Sequence, residues 1–260
     1  MRSDCCTTRY PIILVHGVNC RDDRPLAYWG RIPAALKARG ARVYLGGQDA
    51  WGTVSGNAAQ LKQTVQRVRR EEKCDKVNFI AHSKGGLEVR YLVSRMGLAE
   101  HTASVTTLST PHRGSRTAGW IAGQRLLTPY GACSKQFWRL LGDQAPHFRE
   151  TLRDISAAWS EDFNRMCPDM PGIFYQSWGA NLSGSLHDPV MALFAAVCRP
   201  LDGETDGLVS CRSAEWGFYR GTLARVSHQD LVDTFQRDLP YFHPCGFYVR
   251  MVRELRQKGF

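Results

Sequence analysis

The chain has 260 residues, 43% of them hydrophobic, 22% charged and 10% aromatic. That composition excludes fibrous, collagen-like and wholly disordered chains and is enough for one large domain with a sizeable core. Lys and Arg number 34 against 24 Asp and Glu, for a net charge of +10, but the basic residues are scattered, and Arg67, Arg69 and Arg70 are followed at once by Glu71 and Glu72. The basic stripe and reader motif of a nucleic-acid binder are therefore missing, and no such partner is expected. No apolar run approaches the roughly 20 residues of a membrane span, so no integral membrane segment is expected. Met1 to Tyr10 lacks the apolar region of an export signal; as written the chain reads as cytoplasmic, and as secreted if its N-terminus was trimmed. Nine cysteines, with no CxxC pair and no metal-ligand spacing, read as free thiols or, alternatively, as including one disulfide between Cys167 and Cys211.

In chain order, short apolar runs alternate with helical patterns. Tyr10 to Val15 reads as a buried strand and Trp29 to Ala38 as a helix, with apolar residues at Trp29, Ile32, Ala35 and Leu36. Arg42 to Leu45 is a short strand. Ser55 to Glu72 is a helix with Leu61, Val65 and Val68 on one face and Ser55 as its N-cap. Lys76 to Ala81 is a strand, Gly85 to Met96 a helix and Ala103 to Leu108 a strand. Between Pro111 and Pro171 the rhythm breaks, and Trp120, Ile121, Leu126, Leu127, Phe137, Trp138, Leu140, Leu141 and Trp159 are spread among polar residues. That stretch, at about residues 115 to 170, reads as an inserted helical cap or lid. Strands at Ile173 to Trp178 and Thr222 to Val226 and an amphipathic helix at Phe247 to Gln257 complete the chain. Repeated strand–helix alternation predicts a mostly parallel sheet with helices on both faces, in a single domain.

The sequence Ala81-His82-Ser83-Lys84-Gly85-Gly86 lies between a predicted strand and a predicted helix. A nucleophilic serine needs that setting: a sharp strained turn exposes its hydroxyl at the C-terminal edge of the sheet, and small neighbours let the backbones pass. Serine is a weak nucleophile at neutral pH, so it requires a base and an acid that orients the base. In the α/β-hydrolase order of Ser, acid, His, Asp206 in Thr205-Asp206-Gly207 and His228 in Ser227-His228-Gln229-Asp230 fill the two roles, with Asp202 and Glu204 as rival acids. His82 lies inside the elbow and is expected to point away and pack; His16 is expected to brace the adjoining loop. His112 follows a strand, and His101, His147, His187 and His243 lack an acid-turn context. The tetrahedral oxyanion needs amide donors; the Lys84 N–H is one, and the loop His16-Gly17-Val18 is placed to supply another. The Lys84 ammonium is expected to reach solvent or an acidic neighbour.

Pro11-Ile12-Ile13-Leu14-Val15-His16-Gly17, the HSKGG run at 82–86, Leu108-Ser109-Thr110-Pro111-His112-Arg113-Gly114-Ser115, Asp206-Gly207-Leu208-Val209-Ser210 and Ser227-His228-Gln229-Asp230 resemble, in order, the blocks of the bacterial triacylglycerol lipases of the Pseudomonas type, in a branch carrying HSKGG. The likeness runs from about Tyr10 to the C-terminus; only the cap is hard to follow. The resemblance implies an α/β-hydrolase fold, a Ser83–Asp206–His228 triad and oxyanion donors at Val18 and Lys84. It also implies a structural calcium that ties the histidine loop to the preceding segment, with Asp230 and, more loosely, Asp188 as carboxylate ligands. Thr234 stands where that family has an amide side chain, so the remaining ligands do not transfer.

The function expected from these residues is carboxylic-ester hydrolysis through an acyl-enzyme, most readily of acylglycerols at a lipid–water interface. Trp120, Phe137 and Trp138 are candidates to line an acyl cleft. No organic cofactor is required. Polyester hydrolase, thioesterase and acyltransferase share the same machinery, and a non-catalytic ligand-binding protein is the rival outside enzymes.

Overall fold

The computed structural model describes residues 4–22, 27–124 and 135–260. Six strands, β1 (Ile12–Val15), β2 (Val43–Leu45), β3 (Val77–His82), β4 (Thr102–Leu108), β5 (Phe174–Asn181) and β6 (Phe218–Ala224), pair in parallel in the order β2-β1-β3-β4-β5-β6. The side-chain period of two divides β1 between the two faces of the sheet. Ile12 and Leu14 pack with Trp29, Ile32, Tyr248 and Val252 on one face. Ile13 and Val15 pack with Leu61, Val65, Val89 and Leu92 on the other. The first face is covered by α1 (Ile32–Lys37) and α10 (Pro244–Gln257), the second by α2 (Val54–Glu72) and α3 (Lys84–Arg95). β1, β3 and β4 are thus buried on both sides along their length, which is why they read as unbroken apolar or small-residue runs.

Most sequence boundaries fall within a few residues of the observed ones. Thr53 rather than Ser55 caps α2, its hydroxyl accepting from the Gly56 N–H at 3.1 Å. The last strand lies earlier than expected, at Phe218–Ala224, with Gly221 at positive φ inside it. Between β4 and β5 the chain forms α4 (Arg116–Gly123), a helix α5 at 135–140, α6 (Phe148–Asp154) and α7 (Ala157–Met166). Leu126, Leu127 and Cys133 lie outside the described residues. Arg90 of α3 anchors this segment: its buried guanidinium stacks 3.7 Å from the Trp216 ring and donates to Asn164 and to the Cys167 carbonyl at the end of α7. Sequence periodicity missed α8 (Pro189–Asp202) and the short α9 (Cys211–Ala214).

Among the described cysteines none forms a disulfide, so the alternative pairing of Cys167 with Cys211 is set aside. Cys167 is packed with Val54, Leu87 and Phe163, and the Cys211 thiol faces the Ala180 carbonyl at 3.5 Å. Among the described residues no helix is long and apolar enough to cross a membrane.

Candidate active site

Ser83 follows β3 directly and precedes the first residue of α3, with φ 55° and ψ −134°. A non-glycine residue in that region stores strain that the surrounding packing must hold. The tightness comes from both neighbours. A Cβ on Gly85 would lie 2.6 Å from the Val15 carbonyl oxygen, so α3 rests on β1 only because that side chain is absent. A Cβ on Gly17 would lie 2.7 Å from the Ser83 Cβ and 3.1 Å from its Oγ, so the His16-Gly17-Val18 turn passes directly against the serine. As the first residue of α3, Lys84 has an amide with no partner inside the helix, and it sits at the positive end of the helix dipole.

The acid and base loops meet at the same edge of the sheet. His228 Nδ1–H donates to Asp206 Oδ2 at 2.7 Å, and the His228 amide donates to the Asp206 carbonyl at 2.9 Å. The other carboxylate oxygen accepts the amides of Leu208 and Val209 at 3.0 and 2.9 Å. Asp206 is fully buried, and its two carboxylate oxygens take three donors between them. A carboxylate can only accept, so the neutral His228 ring keeps its proton on Nδ1. Its Nε2 is buried with no hydrogen-bond partner, leaving a lone pair available to a substrate-side proton. The rival acids are occupied elsewhere: Asp202 accepts from the Ser115 hydroxyl and the Arg116 and Thr117 amides at the start of α4, and Glu204 accepts from the Asn181 amide.

One expectation, for His82, needs adjusting, and those for Lys84 and His16 are met. His82 does not turn away from the site; its ring lies 4.3 Å from that of His228, and its Nδ1 is 2.6 Å from the Tyr28 hydroxyl. Ala81 and Ser83 flank it in a strand whose alternation sends His82 to the Tyr28 side, a consequence of the period of two that motif reading overlooked. Burial, with the neighbouring His228, holds its pKa well below the usual histidine value. The Lys84 ammonium reaches no solvent; it pairs with Glu88 in the dry core and donates to the Gly52 carbonyl at 2.7 Å. Asn57 completes this set by donating to Glu88 at 2.7 Å. His16 bridges back as expected, Nε2 to the Gln48 carbonyl at 3.0 Å, while Gln48 Nε2 returns a bond to the His16 carbonyl.

A cavity of about 250 Å³ opens beside His228 and His82, with walls from Val18, Tyr28, Val190, Met191, Phe194 and Leu208. Trp120, Phe137 and Trp138 do not line it. Its apolar wall comes from α8, which the sequence reading left unassigned. A larger, more open cleft of about 530 Å³ follows Arg113, Arg116, Arg212 and Asp202 and holds none of the candidate catalytic residues. Asp188 and Asp230 both approach Ser227, but through its hydroxyl and its amide respectively. Among the described residues no group of three or more His, Cys, Asp or Glu is arranged to hold a metal.

Comparison with known proteins gives the family and the fold. A family model described as palmitoyl protein thioesterase matches residues 11–152, from β1 through the serine turn into the helical insertion. Triacylglycerol lipase 2 of Saccharomyces cerevisiae is 27% identical over 254 residues, covering 90% of this chain and 75% of that protein. A triacylglycerol lipase of Pseudomonas fragi is 26% identical over 98% of this chain and 99% of its own length. The crystal structure of Staphylococcus hyicus lipase matches with a TM-score of 0.75 at 16% identity, over 97% of this chain and 98% of that one. The shared fold is that of the α/β-hydrolases, as the order of motifs implied.

Proposed function

Because this chain belongs to the palmitoyl protein thioesterase family and is an ester hydrolase with the α/β-hydrolase fold, we propose that Ser83, His228 and Asp206 form its triad and that acylglycerols are its substrates. The observation that carries this reading is His228: Nδ1 is committed to a buried carboxylate while Nε2 stays buried and unpartnered beside the serine turn. In the proposed reaction Nε2 takes the Ser83 proton as Oγ attacks the ester carbonyl. The amides of Val18 and Lys84 receive the oxyanion, a donor set in which each member is worth roughly 100- to 1000-fold in rate. The imidazolium then gives its proton to the departing alcohol, and water repeats the sequence to release the acid and free the serine. Asp206 holds the ring in its working tautomer and offsets the transient positive charge.

The substrate class rests on apolar surface. Val190 and Phe194 contribute to the cavity and are also half-exposed, and Leu193 and Val197 continue the exposed ridge along α8. An apolar patch contiguous with the site suits a lipid–water interface better than a small polar ester. The family match gives thioester cleavage as the second reading, since the same acyl-enzyme forms from a thiol ester. Turnover of p-nitrophenyl esters of graded chain length, an emulsified triglyceride and a long-chain acyl thioester separates them. The proposal expects kcat/KM to rise with acyl length and the triglyceride to be cleaved; a preference for the thioester would favour the second reading, and no turnover of any of them would end both.

A further inference from the structure

The calcium implied by the lipase resemblance would need Asp188 and Asp230 as ligands, yet the groups that converge on these carboxylates are hydrogen-bond donors. Asp188 Oδ1 accepts the Met191 amide at 3.0 Å as the N-cap of α8, and Oδ2 accepts the Ser227 hydroxyl at 2.8 Å. Asp230 Oδ2 accepts the Ser227 amide at 2.9 Å and His187 Nε2–H at 2.6 Å. Calcium takes six to eight oxygen acceptors at about 2.3–2.6 Å, and here the space against Asp230 Oδ2 is filled by an imidazole. A ring N–H and a main-chain N–H aimed at that oxygen oppose a cation rather than invite one. Both acids are almost fully buried, both oxygens of Asp188 and Oδ2 of Asp230 take protein donors, and among the described residues no third His, Cys, Asp or Glu is arranged with them to hold a metal, so the residues present do not fit the metal.

The same imidazole is held on its other side. Ser185 Oγ lies 2.6 Å from His187 Nδ1, the Tyr241 hydroxyl is 3.3 Å from that nitrogen, and Arg237 donates to the His187 carbonyl at 3.0 Å. His187 therefore joins three stretches of chain: the start of α8, the loop that carries His228, and the segment after it. Linking these is the task a structural ion would have. We infer that His187 stands in for the calcium that the resemblance implies and is a positioning residue, which straps the His228 loop in place through Asp230 and Ser227.

The inference about catalysis rests on the reading of His228 as the base; the inference about calcium does not. Two measurements keep them apart. Calcium chloride titrated calorimetrically into chelator-treated protein is expected to give no saturable heat, and the melting midpoints in EDTA and in excess calcium should coincide. A structural ion at a hundredfold its Kd would separate the midpoints by roughly 5 °C or more, and either that separation or saturable binding overturns the proposal. Then His187→Ala should lower kcat for a soluble ester by about 10- to 100-fold with KM nearly unchanged, the scale of losing an orienting partner, and His187→Gln, whose amide N–H can still meet Asp230, should recover most of it. A His187→Ala protein that is folded and keeps its full kcat overturns the positioning role. Should Ser83→Ala prove fully active, the proposed triad fails, while the calcium titration still decides whether a metal is bound here.

Discussion

At the scale of single residues, the candidate chemistry depends on what each polar atom has left over after its structural bonds are made. Asp206 has nothing left: one oxygen takes two amides and the other takes His228. His228 has one lone pair left, on a buried and unpartnered Nε2, and its residue lines the cavity. Asp206→Asn would preserve the shape but offer an N–H where the ring needs an acceptor, turning the imidazole to the wrong tautomer. It is expected to lower kcat by about 10⁴-fold with little effect on folding, and a stopped-rate assay with a soluble ester checks this. Activity within tenfold of the parent would remove Asp206 from the mechanism. The sequence singled out Ser83, Asp206 and His228 because nucleophile, acid and base must come in that order after particular strands. It misjudged His82 because the direction and partners of a side chain depend on what packs across from it, whereas the Lys84 ammonium meets one of its two expected partners, the acidic neighbour Glu88. Tyr28 lies 54 residues before His82 in the chain and gives no local signal.

At the scale of elements, the parallel core was legible because central strands and their covering helices leave strong periodic patterns. α8 was not, since its residues are apolar on nearly every side: Met191, Ala195 and Cys198 are buried while Val190, Leu193 and Val197 are exposed. Pro200 lies inside it, a residue that removes a helical hydrogen bond and is uncommon in helix interiors. The one clear sign was Asp188-Pro189, an N-cap followed by proline at the first helical position, but Asp188 had been read as a metal ligand. The contact between α3 and β1 carries an element-level prediction. Gly85→Ala inserts a methyl group 2.6 Å from the Val15 carbonyl oxygen, against backbone that cannot rotate away. It should cost about 1–3 kcal/mol by overpacking and reduce kcat as the helix and its Lys84 amide shift outward. Urea denaturation followed by circular dichroism measures the first effect, and an unchanged midpoint would contradict the tight approach.

At the scale of the whole molecule, the fold buries two histidines in neutral form. Burial holds both His82 and His112 well below the usual value of 6.5; His228 adds to this for His82, and Arg90 and Arg113 for His112. Unfolding lets both rings take up protons once the pH is below about 6.5, whereas the native state resists. Their contribution is thus intact above that pH and declines as the pH falls, with a slope approaching about 1.4 kcal/mol per pH unit for each ring. Melting midpoints should be level near neutrality and drop steadily toward pH 5. A flat profile across that interval would show that neither ring is held below its ordinary value. The account as a whole requires distant segments, the serine turn after β3 and the loops after α8 and β6, to produce one activated hydroxyl. The most direct measurement is labelling with a fluorophosphonate probe followed by peptide mapping, in the parent and in His228→Ala. The account predicts stoichiometric modification of Ser83 in the parent and loss of most of it in the variant; an unlabelled Ser83, or equal labelling without the imidazole, would contradict it.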